Sequence, residues 1–76
     1  MVKAYIMVTS SIGEVREVFT RLEDLDSAVD INMVTGPFDI VVLVEAEDLS
    51  VLTNAVVEEI REIEGVVDTN TAIVVE

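Results

Sequence analysis

Apolar and polar residues follow one another along this chain in six blocks, with a period that switches between two and about 3.6. Residues 2–9 are short, β-branched and apolar, so they read as a strand with Ala4, Ile6 and Val8 on one side and Tyr5 and Met7 on the other. Ser11 followed by Glu14 has the spacing of a capping box, predicting a helix from near Ile12. Its apolar positions Val15, Val18, Phe19, Leu22 and Leu25 fall at helical spacing, with Glu17 and Arg21 paired on the outer face. Asp24, Asp26 and Ser27 punctuate its end. Residues 28–35 then set Val29, Ile31 and Met33 against Asp30 and Asn32, the alternation of a strand with one wetter face.

Gly36 and Pro37 break that strand, and residues 38–46 resume as one that is apolar on both sides at 40–44, which predicts cover on both faces. Asp48 can cap a second helix whose stripe is Leu49, Leu52, Val56, Ile60 and Ile63, with Gly65 as its C′ residue. Residues 66–75 close the chain as a strand, placing Thr69 and Thr71 on the side of Val67, Ile73 and Val75.

This order, βαββαβ, predicts an α+β, ferredoxin-like domain over residues 1–76: a four-stranded antiparallel sheet with two helices on one face. The opposite face is then open. Because residues 40–44 are apolar on both sides of the pleat, that open face carries apolar side chains, and such patches mark interfaces. Dimerisation through the sheets is the expectation.

Composition sharpens this picture. A chain of 76 residues hides only about 60% of its unfolded surface on folding and ordinarily needs added support. Cysteine and histidine are both absent, which leaves self-association as the support. Sixteen acids against four bases give a net charge of -12, yet 51% of the residues are hydrophobic. A disordered acidic chain lacks that apolar content. Lys3, Arg16, Arg21 and Arg61 are too few to neutralise a phosphate backbone, so direct binding of nucleic acid or an anionic membrane is not expected. The longest wholly apolar run, residues 40–44, is far short of the ~18 residues of a membrane span, and the N-terminus has no signal-peptide core. The expected location is the cytoplasm, with the acidity suggesting adaptation to high salt.

Without His or Cys there is no imidazole base, thiol nucleophile or soft metal ligand, and no enzyme is expected. Asp39, after a turn at the head of an apolar strand, suits hydrogen bonding to turn backbone first and ligand contact second. Asp24, Asp26 and Asp30 lack Ca²⁺-loop spacing and read as a solvated acidic turn; no metal or cofactor is expected. The three glycines are scattered, so no phosphate cradle exists. Thr69 and Thr71, two apart on one strand, present both hydroxyls to one side, which suits a polar ligand as well as it suits strand propensity.

Residues 34–42, Val-Thr-Gly-Pro-Phe-Asp-Ile-Val-Val, followed at 63–71 by Ile-Glu-Gly-Val-Val-Asp-Thr-Asn-Thr, resemble the ligand-binding domain of the Lrp/AsnC regulators, also called the regulation of amino acid metabolism domain. The likeness covers the chain from the opening strand to the end. It implies pairing through the sheets and assembly of dimers into rings such as an octamer or decamer, with a small effector, typically an amino acid, held between neighbouring dimers. The implied contacts are Val34, Thr35, Gly36 and Asp39 on one side and Thr69 and Thr71 on the other. Asp39 would meet an amino group. Family regulators carry an N-terminal helix-turn-helix, whereas this sequence opens directly on the first strand. The resemblance therefore implies a stand-alone sensor that regulates indirectly, through mixed assembly with full-length Lrp/AsnC-type regulators or by buffering effector.

Three other readings share the element order. An ACT-like amino-acid-binding module would pair at sheet edges rather than face to face. A small dimeric α+β barrel enzyme needs a catalytic group inside an apolar pocket. A purely structural oligomerisation domain would have no occupied pocket.

Overall fold

The computed structural model of the protein describes residues 1–75. Strand β1 (Val2–Ser10) leads to helix α1 (Val15–Glu23), then strands β2 (Ala28–Met33) and β3 (Ile40–Ala46). A second helix follows in three continuous parts: α2 (Leu49–Val51), a π-helical turn (Leu52–Val56) and α3 (Val57–Arg61). Strand β4 (Val66–Ile73) ends it. The sheet order is β2-β3-β1-β4 with every neighbour antiparallel, as the βαββαβ reading requires. No helix among the described residues is long and apolar enough to cross a membrane.

Alternation decides which side chains become core. Ala4, Ile6 and Val8 of β1 and Ile40, Val42, Val44 and Ala46 of β3 all point under the helices and are buried. Val18 and Leu22 from α1 and Leu52, Val56 and Ile60 from the second helix complete the layer. Each such Val, Leu or Ile contributes about 1.5–3 kcal/mol of burial. The intervening residues of β3, Val41, Leu43 and Glu45, are half-buried on the open face. The run apolar on both sides is thus covered by helices on one side and only by its neighbours on the other.

Local detail departs from the periodicity at several points, among them Leu49, which the stripe of the second helix placed inward and which is 50% exposed. The capping box does not form: Ser11 lies in a turn closed by the Glu14 N–H to the Ser11 carbonyl at 3.0 Å, and α1 starts at Val15 without a side-chain cap. The Ser11 N–H is already committed to the Gly65 carbonyl at 2.8 Å, which holds this residue on the sheet. In β2 a bulge at Val29 shifts the register between Ala28 and Asp30, so Ala28 packs on the core and Val29 is exposed.

Gly65 is not the C′ residue, because α3 ends at Arg61. It occupies the third position of a turn closed by the Val66 N–H to the Ile63 carbonyl at 3.1 Å, with φ +101°. In β4 a second bulge opposite Thr9 and Ser10 turns Val67 outward, leaving it 65% exposed. Asp48 does cap the second helix, accepting the Val51 N–H at 2.8 Å. Further along, Thr53 of the π-helical turn donates its hydroxyl back to the Leu49 carbonyl of α2 at 2.9 Å, a contact that competes with the regular ladder.

Candidate functional site

Two surfaces carry the candidate chemistry. On the open face the registers place Leu43 beside Tyr5 and Val41 beside Met7, with Ala72 next to Tyr5 on β4. Tyr5 is 46% exposed. Around this apolar centre stand Asp30 and Asn32 on β2, Asp68 and Asn70 on β4, and the cross-strand pair Lys3 and Glu45, whose Nζ and Oε2 lie 3.5 Å apart. Among the described residues this is the one ion pair, and the expected Glu17–Arg21 pair does not close.

The second surface is the end of the sheet where β2 turns into β3. The Val34 N–H donates to the Asp39 carbonyl at 2.9 Å and closes the connection. Gly36 has φ +113°, a left-handed conformation that costs other residues strain, and the space where a Cβ would stand is open. Val34, Thr35 and Gly36 are exposed. The Asp39 carboxylate faces inward along the sheet end, where Oδ2 accepts the Ser10 N–H at 2.8 Å and lies 3.5 Å from the Ser10 hydroxyl.

Thr69 and Thr71 sit on the edge strand β4, opposite Val8 and Ile6 and therefore on the helix side of the sheet. Thr69 is half-buried and Thr71 exposed. With β1 between them, β3 and β4 are about 10 Å apart, two strand spacings. Val34, Thr35, Gly36 and Asp39 come together and Thr69 and Thr71 come together, but the two groups do not meet: Thr69 lies toward the end of the sheet that holds Asp39, and Thr71, opposite Ile6, lies further in. The single chain has no pocket among its described residues. Asp24, Asp26 and Asp30 do not converge; Asp30 serves its own strand, accepting the Ile31 N–H at 3.0 Å and the Asn32 amide at 3.4 Å.

The sequence pattern assigned no role to Ser10 and only a helix cap to Ser11. Ser10 is the one buried polar residue among those described, and the signal was a hydroxyl pair closing a β-branched run where burial continues but regular pairing stops.

Comparison with known proteins agrees with this architecture. The chain is 31% identical to FFRP-DM1, with a TM-score of 0.92, covering 99% of this chain and 100% of that one. A Thermus thermophilus protein of known structure is 28% identical over 100% and 95% of the two chains, with a TM-score of 0.92. A Neisseria meningitidis transcriptional regulator solved as a complex with L-Met has the same fold, with a TM-score of 0.86 at 19% identity; the match covers 99% of this chain and 50% of the regulator. No curated protein matches the chain. A sequence model of the Lrp/AsnC ligand binding domain matches residues 3–76, nearly the full length of the chain. The protein belongs to the Lrp/AsnC ligand-binding domain family, the effector-binding part of transcription regulators.

Proposed function

We propose that this domain binds a small effector of the amino-acid class in pockets completed by a second copy of the chain, and that its assembly is the regulatory output. The observation carrying this reading is a split arrangement across the sheet: exposed backbone at Thr35 and Gly36 with Val34 beside it in the connection between β2 and β3, and paired hydroxyls at Thr69 and Thr71 on β4, with β1 between β3 and β4. A free amino acid needs acceptors for its ammonium and donors for its carboxylate, and backbone groups with hydroxyls supply both. The L-Met bound to the Neisseria regulator of the same fold supports that ligand class.

The apolar centre of the open face, Tyr5, Met7, Val41 and Leu43, supports a dimer packed sheet to sheet, with rings of dimers such as an octamer or decamer bringing the two half-sites together. With a charge of -12, contact with DNA falls to a basic partner, and full-length Lrp/AsnC-type regulators in mixed assemblies fit that role. A cytoplasmic location belongs to the same reading.

Calorimetric titration with each of the twenty L-amino acids, run beside sedimentation velocity, tests the proposal. Saturable binding by at least one of them with a shift in sedimentation is expected. Silence across the panel at millimolar concentration would defeat it.

A further inference from the structure

The β1–β3 ladder ends at Val8 and Ile40, and beyond that point a side chain holds the strands together. The Ser10 N–H, instead of finding a β3 carbonyl, donates to Asp39 Oδ2 at 2.8 Å, and the Ser10 hydroxyl lies 3.5 Å from the same oxygen. The backbone of Asp39 is engaged on both sides: its N–H donates to the Val8 carbonyl at 3.0 Å, and its carbonyl accepts the Val34 N–H at 2.9 Å. One residue beyond Ser10, the Ser11 N–H donates to the Gly65 carbonyl at 2.8 Å, at the entry to β4. A continuous run of hydrogen bonds therefore leads from the 34–39 connection, through Asp39 and the Ser10–Ser11 pair, to the strand that carries Thr69.

We propose that Asp39 is a positioning residue, whose carboxylate sets the 34–39 connection against β4 through Ser10 and does not serve as the counter-charge of the effector. This deepens the pocket reading above and rests on it for its binding arm. A carboxylate bond to a backbone N–H is roughly twice as strong as a neutral one, and Ser10 is only 8% exposed, so water competes little for it. An effector ammonium at Oδ2 would have to displace that donor. Because the two half-sites lie on different strands, an error in their spacing weakens every contact that spans them.

The substitutions Asp39→Asn and Asp39→Ala separate the two roles. Asparagine keeps an acceptor oxygen for the Ser10 N–H and loses the charge; alanine loses both. The first measurement is amide hydrogen exchange on the full chain without ligand. Exchange at Ser11 and residues 65–69 should rise at least tenfold in Asp39→Ala and less than threefold in Asp39→Asn. Unchanged exchange in Asp39→Ala overturns the proposal, whether or not any amino acid binds.

The second measurement is titration with L-methionine and the remaining L-amino acids. Asp39→Asn should bind within about threefold of the wild type, while Asp39→Ala weakens binding at least tenfold. Equal loss in both variants, with Asp39→Asn still folded, identifies a direct charge contact and overturns the proposal. Where Asp39→Ala does not fold, retention or loss of binding in Asp39→Asn decides. If the wild type binds none of the panel, the pocket reading fails by itself and the exchange result still judges Asp39.

Discussion

Gly65 lies against Glu14: a Cβ built on Gly65 would stand 2.5 Å from Glu14 Oε2 and 2.9 Å from Val18 Cγ2. The Gly65 carbonyl also receives the Ser11 N–H, so the turn into β4 and the turn into α1 are packed as one unit. Gly65→Ala combines a steric overlap with a φ of +101°, and backbone strain of this kind costs about 1–3 kcal/mol. Gly36→Ala, at φ +113° with open space around it, carries only the strain. Chemical denaturation should therefore show Gly65→Ala losing more stability than Gly36→Ala. Equal losses would mean that the Glu14 contact gives way without cost.

The second helix depends on its first residue contact. Asp48 accepts the Val51 N–H, and removing an N-cap side chain costs about 0.5–2 kcal/mol. Asp48→Ala should lower the denaturation midpoint by that amount, while Ser11→Ala, which removes no helix cap, should stay within about 0.5 kcal/mol of the wild type.

Leu43→Glu places a charge in the apolar centre of the open face, beside Tyr5. If dimers form through this face, sedimentation equilibrium will show a smaller species than the wild type, with far-UV circular dichroism unchanged. A variant that assembles as the wild type does would remove this face from the proposed dimer.

The sequence carries a net charge of -12, and among the described residues only one acid, Glu45, is in an ion pair, with Lys3. Repulsion among exposed acids weakens as added salt shortens the Debye length from about 10 Å at 0.1 M to about 3 Å at 1 M. Thermal unfolding in KCl should show a midpoint that rises over this range. A midpoint independent of salt would rule out net repulsion as a term in stability.

Periodicity was a sound guide wherever burial on one side of an element dominated. Ala4, Ile6 and Val8, the alternation of β3, and the Leu52, Val56 and Ile60 stripe all went where their spacing placed them. It misled at Val29 and Val67, because a bulge adds one residue and reverses the side without altering composition. The Ser11–Glu14 motif misled for a different reason. A cap competes with whatever else the residue can bind, and the Ser11 backbone was claimed by Gly65, 54 positions away in the chain.

For the candidate site, the local sequence was enough to bring Val34, Thr35, Gly36 and Asp39 into one connection and Thr69 and Thr71 onto one side of a strand. The amino-acid order by itself determined the six elements, most of the core, the acidic surface and the family, since each depends on residue type and short-range spacing. Only the tertiary structure decided that Asp39 holds Ser10 and that β1 stands between Asp39 and the strand of Thr69 and Thr71. Those relations come from strand order and from hydrogen bonds between distant segments, and no periodicity along the chain encodes which backbone donor a carboxylate will meet.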